Sequence, residues 1–183
     1  MSGLKENYEK KIIPFLKKEL GAKSVMALPR LEKIVVNIGL GRALKDEKFM
    51  EIALRDLALI TGQKLKTTPA KKSIANFKIR EGMIVGAVAT LRGARMYDFL
   101  SRLVDIALPR SRDFRGLDPK SIDQSGNLTI GMKEHIVFPE IKGEEVRNIF
   151  SFEITFVVKA KNRDEAVALY KALGIPLKNN SEK

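Results

Sequence analysis

The segment that decides the fold is residues 61–95, TGQKLKTTPAKKSIANFKIREGMIVGAVATLRGAR. It contains eight Lys or Arg residues and a single acid, Glu81. The cations alternate with the large apolar residues Ile74, Phe77 and Ile79, and residues 83–91 form an apolar run typical of a β-strand. This pattern predicts an ordered basic hairpin and not a disordered tail.

The charge of this hairpin favours a polyanionic partner. Eight cations minus one acid leave a local excess of seven, which is more than half of the formal net charge of +12 of the whole chain. Cations matched to phosphates gain affinity because binding releases condensed counterions. A basic face that is simply solvated has the same composition, since charge excess is an unspecific clue.

The remaining composition limits the class of protein. The 183 residues match the size of one compact domain and no linker rich in Pro, Gly or Ser divides them, so we expect a single domain over residues 1–183 with a protruding basic loop near 69–82. No apolar run approaches the roughly 18 residues of a bilayer span, and the start of the chain does not resemble a secretory signal. The absence of cysteine excludes disulfides and thiolate metal sites. We therefore expect a cytoplasmic protein without a membrane partner.

Hydrophobic periodicity predicts helices over residues 4–20, 46–60 and 95–108, and a last helix that is capped by Asn162 and Glu165 and ends at Leu173. Pro14 predicts a kink or break in the first helix, and Pro109 predicts the end of the third. The buried side of the first helix is expected to contain Tyr8, Ile12, Phe15, Leu16 and Leu20. Strands are predicted over residues 31–38, 83–91, 127–130 and 151–160.

These elements predict an α+β fold with two layers, in which helices pack on one face of a mostly antiparallel sheet. The other face of the sheet would then be free. Because residues two apart in a strand share a face, Lys33, Asn37, Thr90 and Arg92 are expected on it. Short hydrogen-bonding groups flanked by cations suit phosphates and ribose hydroxyls, although a sheet face exposed only to water remains an alternative.

Signals for catalysis are weak. Gly39 and Gly41 follow a strand as in a dinucleotide-binding turn, but Leu44 occupies the position of the third glycine. His135 is the only histidine, so neither a histidine metal centre nor a nucleophile and base pair is predicted. Three carboxylates lie among cations and are expected in a solvated loop and not as an acid and base pair: Glu140, Glu144 and Glu145. We predict no enzymatic activity, no metal and no cofactor.

Successive blocks of the chain resemble the signatures of the bacterial large-subunit ribosomal protein five family. In order, they are MALPRLEK (26–33), NIGLG (37–41), TGQK (61–64), AKKSIANFKIR (70–80), TLRG (90–93), ALPRSRDFRGL (107–117) and FPEI (138–141). Together they cover nearly the whole chain. The chain departs from the family at residues 123–128, DQSGNL, where the family often has DGRGNY, so contacts from this loop are left open.

The resemblance implies a structural protein of the central protuberance of the cytoplasmic ribosome. Its implied partners are 5S ribosomal RNA, the transfer RNA in the peptidyl site, small-subunit protein thirteen and other components of the central protuberance. The residues expected to bind ribosomal RNA are Lys33, Asn37, Gln63, Lys64, Lys66, Thr90 and Arg92. Those expected to contact transfer RNA are Lys71, Lys72, Ser73, Asn76, Lys78 and Arg80. Those expected at a bridge to the small subunit are Arg110, Arg112, Arg115, Lys133 and Lys142.

Two other classes of function are weighed against RNA binding. A sequence-specific DNA-binding protein would also be basic, but the sequence has no helix-turn-helix pair with a basic recognition helix and no zinc ligands. A nucleotide-using enzyme would need the turn at Gly39 to hold phosphate, and the expected partner residues are missing. A structural RNA-binding protein explains the charge, the lack of catalytic groups and the order of the motifs.

Overall fold

A computed structural model describes residues 3–41, 46–112, 114–141 and 148–178. The strands in these residues are β1 (Arg30–Gly39), β2 (Lys66–Pro69), β3 (Ile84–Leu91), β4 (Leu128–Met132) and β5 (Phe152–Lys159). They form one sheet in the order β2-β3-β1-β5-β4, and every neighbouring pair is antiparallel. The predicted α+β class is thereby confirmed.

Four helical runs accompany this sheet in the described residues. The first, α1, comprises Leu4–Asn7, a π-helical segment Tyr8–Ile12 and Ile13–Glu19. The second, α2, is Glu47–Thr61, and the third, α3, comprises Ala94–Arg102, a π-helical segment Leu103–Ala107 and Leu108–Arg110. The last, α4, is Arg163–Ala172. None of the described helices combines the length and the apolar character needed to span a bilayer.

α1 continues through Pro14 to Glu19, so a break there is wrong and a kink stays a prediction, whereas α3 ends at Arg110, one residue after Pro109, close to the predicted end. Each proline lies in the α-helical segment that directly follows a π-helical segment of five residues. A proline ring clashes with the carbonyl four residues earlier in a regular α-helix, and here those carbonyls belong to Lys10 and Asp105 inside the wider π turns. The wider turns let α1 continue to Glu19 and let α3 include Pro109 before it ends at Arg110.

Helices and sheet enclose one contiguous hydrophobic core. Alternate residues of β1, Ile34, Val36 and Ile38, face the helices and are almost completely buried. Phe15 was predicted on the buried side of α1 but is 54% exposed. The π-helical segment before it contains an extra residue per turn, so the spacing of 3.6 residues does not carry through to Phe15.

The helix ends match the sequence signals in α2 and differ in α4. The Asp46 carboxylate accepts the backbone N–H of Phe49 at 3.1 Å, and Gly62 ends α2 in the left-handed conformation with φ 68°. Asn162 makes no side-chain cap bond at the start of α4. The carboxylate of Glu165 accepts the N–H of Lys161 at 3.0 Å, one residue earlier than a capping box requires, so neither hydrogen bond of the predicted motif forms.

Candidate nucleic-acid interface

The sheet has a second face that the helices do not cover, which we call the open face. Antiparallel pairing places Asn37 of β1 opposite Val88 of β3 and Glu153 of β5. The row continues to Lys66 at the β2 edge and to Gly131 at the β4 edge. Because directly paired residues point to the same side of a sheet, these five positions form one row across the open face.

The predicted free-face residues Lys33, Asn37 and Thr90 all lie on the open face. Val35 pairs with Thr90, so Thr90 is one pair away from Asn37 on the neighbouring strand. Lys33 pairs with Val157 of β5, after a β-bulge that follows Leu31. Arg92 is exposed but lies beyond the end of β3, so pairing does not fix its side, and its place on the open face stays a prediction.

Gln63 is joined to this face by a hydrogen bond. Its side-chain amide donates to the backbone carbonyl of Thr90 at 3.2 Å. Gly62 ends α2 directly before Gln63, and the hydroxyl of Thr61 donates to the Leu57 carbonyl at 2.7 Å and steadies the end of α2. The structure therefore brings together Gln63 and Thr90, which are distant in sequence, while Lys64 beside them is exposed.

Other polar residues of the open face were not assigned to the site from sequence. Arg30 pairs with Lys159, and both are exposed at the end of the face where Lys33 lies. Thr129 and Thr155 are paired, and their hydroxyl oxygens are 3.2 Å apart. Alternation within residues 151–160 already separates Thr155 and Lys159 from the core, but only the strand order shows that they continue the face of β1.

A depression of about 460 Å³ lies at the β4 side of the open face. It is lined by Asn37, Gly39, Gly131, Lys133, Ser151 and Glu153, among other residues. Glu153 is the one acid in the row described above, and no described Lys or Arg forms an ion pair with it. Lys133, which was predicted at the subunit bridge, thus lies beside the open face, whereas Lys142 falls outside the described residues.

The loop between β2 and β3, residues 70–83, is closed by its own backbone hydrogen bonds. Ala70 accepts the N–H of Gly82 at 3.0 Å and donates to the carbonyl of Met83 at 2.8 Å. Further out, Ile74 and Ile79 exchange two backbone hydrogen bonds of 2.9 and 3.2 Å. Six residues predicted to contact transfer RNA are all exposed on this loop: Lys71, Lys72, Ser73, Asn76, Lys78 and Arg80.

The tip of this loop combines an exposed ring with an unusual backbone conformation. Phe77 ends a short 3₁₀ turn, Ala75–Phe77, and is 70% exposed. Lys78 follows with φ 55°, the left-handed region that a side chain rarely adopts. Such a residue costs about 1–3 kcal/mol and is concentrated at ligand-contacting sites. The hydroxyl of Ser73 accepts the N–H of Glu81 at 3.0 Å and so shapes the loop.

The exit of α3 presents a second group of cations. Arg110 ends α3, and Arg110, Arg112 and Arg115 are all exposed. Phe114 between them is partly buried and packs against the core, and Asp113 falls outside the described residues. This group is held to the fold by Phe114 while its guanidinium groups face solvent.

His135 begins the 3₁₀ turn His135–Val137 that follows β4, and it is fully buried. Its ring stacks on Phe150 with centroids 3.9 Å apart, and its Nε2 lies 3.5 Å from Oδ2 of the buried Asp56. Burial lowers the pKa of His135, and the Asp56 carboxylate opposes that shift. Glu140 pairs with Arg102 of α3, whereas Glu144 and Glu145 fall outside the described residues. Within the described part of the chain, no three potential metal ligands cluster.

Comparisons with known proteins give a consistent result. Residues 24–80 match the family model described as "Ribosomal protein L5", and residues 84–177 match the model of the C-terminus of the same ribosomal family. The protein named "Large ribosomal subunit protein uL5" from Dichelobacter nodosus is 52% identical over 178 residues, which cover 97% of this chain and 99% of that protein. Proteins of the same name from Halothermothrix orenii and Anaeromyxobacter are 51% and 52% identical, covering 96% of this chain and 98% and 97% of their own lengths.

Proposed function

This chain belongs to the ribosomal protein L5 family, and we propose that within the large ribosomal subunit it binds 5S ribosomal RNA through the open face of its sheet. Family membership makes it a structural component of the large subunit and not an enzyme, as the sequence predicted. The proposal goes further, because it assigns the RNA and the surface that binds it.

The observation that carries the proposal is the chemistry of the open face. Its described strands present hydroxyls, one amide and cations, together with three valines and the acid Glu153, and none of the paired positions named above has an aromatic ring. Lysine and arginine at the Arg30 end suit phosphates, and threonine hydroxyls suit the 2′-hydroxyl and phosphate oxygens of RNA. We therefore expect recognition through the shape and backbone of the RNA, with little stacking.

We further propose that the 70–83 loop contacts the transfer RNA in the peptidyl site. It extends from the hairpin that carries Thr90, and its cations Lys71, Lys72, Lys78 and Arg80 have Glu81 as the only acid in the loop. The exposed ring of Phe77 and the left-handed conformation of Lys78 are features of a contact surface and not of a loop that only connects two strands.

The arginines at the exit of α3 are proposed to contribute to a bridge with small-subunit protein thirteen. Arg110, Arg112 and Arg115 are exposed at one helix end and lie on elements other than the strands of the open face. A separate contact surface lets one protein bind 5S RNA and the small subunit together. The assignment of Lys133 and Lys142 to this bridge, and contacts with other components of the central protuberance, stay proposals.

The decisive experiment measures binding of 5S RNA to Lys33→Ala and Asn37→Ala variants by filter binding across a salt series. If about six phosphates are neutralised, affinity should fall by a few orders of magnitude between low and physiological salt. Lys33→Ala should reduce the slope of log affinity against log salt by about one, since it removes one phosphate contact. Asn37→Ala should cost about 1–3 kcal/mol without changing the slope, because it leaves an RNA partner unsatisfied.

Lys48→Ala is the matched control, since Lys48 is exposed on α2 in the helix layer. Equal binding by all three variants would place the RNA on another surface. Co-purification of sheared DNA in place of 5S RNA would favour the DNA-binding alternative.

A further inference from the structure

Glu153 presents a problem of charge on the proposed RNA-binding face. It is exposed in the middle of a sheet face that should meet a polyanion, and no described cation pairs with it. A carboxylate repels phosphate, so it does not help the backbone contacts on which the rest of the face depends. It does suit a part of RNA that donates hydrogen bonds, and only the bases present several donors side by side.

The surroundings of Glu153 leave room for a base. The carboxylate lies between Asn37 on β1 and Gly131 on β4, in direct register with both. Gly39 and Gly131 line the same depression without side chains, and a Cβ added at either one would meet no atom within 4 Å. The volume of about 460 Å³ is at the lower end of the range of ligand sites, about 300–1,000 Å³, which suits one nucleoside and not a duplex.

We propose that this depression receives one unstacked guanine of the bound RNA, whose Watson–Crick edge is read by Glu153. This inference rests on the proposed binding of 5S RNA to the open face. Guanine is the base with two adjacent donors, N1–H and N2–H, which match the two oxygens of one carboxylate. Adenine and cytosine have an acceptor next to their amino group, and uracil has a carbonyl on each side of its single N–H. Each of these bases would therefore place an oxygen or nitrogen lone pair against a carboxylate oxygen of Glu153.

Asn37 and Lys133 complete the complementarity. The amide of Asn37 and the ammonium of Lys133 line the depression beside Glu153 and are donors for O6, the acceptor on the same edge of guanine. Reading a base that is extruded from its stack is the usual way in which proteins obtain sequence specificity from RNA. The open face then has two parts: a basic and hydroxyl-rich part for the backbone, and the depression at Glu153 for one base.

The test uses the full chain and a 5S RNA transcript, with Glu153→Gln as the main variant. One oxygen of the glutamine amide still accepts, but its NH₂ opposes a guanine donor, so affinity should fall about tenfold or more. Wild type should protect one guanine from kethoxal, which attacks N1 and N2, and Glu153→Gln should lose that protection. Replacing this guanine by inosine, which lacks the N2 amino group, should weaken binding by wild type and should not weaken binding by Glu153→Gln.

Two further variants separate the depression from general charge effects. Gly131→Val fills the depression with a residue favoured in strands, and it should abolish protection of the same guanine while the thermal midpoint of the free protein is retained. Glu51→Gln makes the same change of charge on the exposed side of α2 and should bind 5S RNA as tightly as wild type.

The outcomes distinguish this inference from the proposed function. If Glu153→Gln binds 5S RNA as tightly as wild type or more tightly, Glu153 faces only phosphate or solvent and the guanine site is refuted, while binding at the open face stands. If wild type does not bind 5S RNA, both proposals fail together.

Discussion

The buried pair of His135 and Asp56 makes stability depend on pH in a direction that can be worked out. Burial penalises the imidazolium more than the nearby carboxylate favours it, so the pKa of His135 in the folded protein lies below its ordinary value of 6.5. Below about pH 6.5 the histidine of the unfolded chain is protonated while the buried histidine of the folded chain still resists protonation, so the unfolded chain binds more protons. The part of the stability that depends on neutral His135 is therefore fully present above about pH 7.5, and it decreases as the pH falls below about 6.5.

The size of the effect has an upper limit. One group changes the free energy of unfolding by at most about 1.4 kcal/mol per pH unit, and only below the pKa at which the unfolded chain binds its proton, about 6.5. About one pH unit separates 6.5 from 5.5, so the loss of stability between pH 8 and pH 5.5 cannot exceed about 1.4 kcal/mol for His135. The Asp56 carboxylate, whose Oδ2 is 3.5 Å from Nε2, reduces the loss below this limit. Arg55, which donates to the other carboxylate oxygen at 3.1 Å, is the further charge in contact with the pair.

Urea unfolding between pH 8 and pH 5.5 measures this difference for wild type, His135→Gln and Asp56→Asn. Glutamine does not titrate, so the free energy of unfolding of wild type should fall relative to His135→Gln as the pH decreases. Asp56→Asn removes the opposing carboxylate and should bring the loss closer to the limit. The reasoning is refuted if wild type becomes more stable than His135→Gln towards pH 5.5, since the carboxylate would then outweigh burial. A single transition in these curves would also support the proposed single domain.

Two further predictions concern the other proposed contacts. Phe77→Ala and Lys78→Gly should leave folding and 5S RNA binding unchanged, because Phe77 is 70% exposed and glycine adopts φ 55° without strain. Both variants should weaken the retention of peptidyl-site transfer RNA in reconstituted ribosomes. Phe15→Ala, at a ring that is 54% exposed on α1, is the control, and equal retention by all variants would remove the loop from the contact. Arg110→Glu with Arg112→Glu should weaken subunit association in sedimentation while 5S RNA binding is retained, with Arg95→Glu at the start of α3 as the control. Loss of 5S RNA binding with normal association would reverse this assignment.

The sequence predicted much of the architecture because local patterns determine it. Alternation placed Ile34, Val36 and Ile38 in the core and Lys33 and Asn37 on the opposite side, as the structure confirms. Periodicity failed where the helix itself is irregular: the π-helical segment at Tyr8–Ile12 turned Phe15 out to solvent. Both π-helical segments directly precede a segment that contains a proline, but a proline inside a helical pattern also marks kinks and helix ends, so the sequence did not distinguish these outcomes.

Features that depend on pairing between distant segments could not be predicted. The alternation in residues 151–160 identified Glu153 as a residue outside the core, but its position opposite Asn37 follows from the insertion of β5 between β1 and β4. The burial of His135 against Asp56 likewise requires α2 to pack on the segment after β4. Both groups are polar residues whose partners lie in another part of the sequence, so neither has a local signal.

Close packing of three strands connects the open face to the 70–83 loop. β3 carries Thr90 near its end, and it begins where the loop closes, so one strand sets the distance between the proposed sites for 5S RNA and transfer RNA. At Gly86, between these two points, an added Cβ would lie 2.9 Å from the carbonyl oxygen of Ile38 and 3.1 Å from the hydroxyl of Thr68. Glycine therefore lets β1, β2 and β3 approach each other directly below the loop, and a side chain there would force β3 away from Ile38. Because a strand paired on both sides does not bend freely, the loop is held at a fixed position relative to the open face. The two proposed RNA contacts depend on that fixed position, since the binding of one RNA to the sheet would not by itself position the loop against the other.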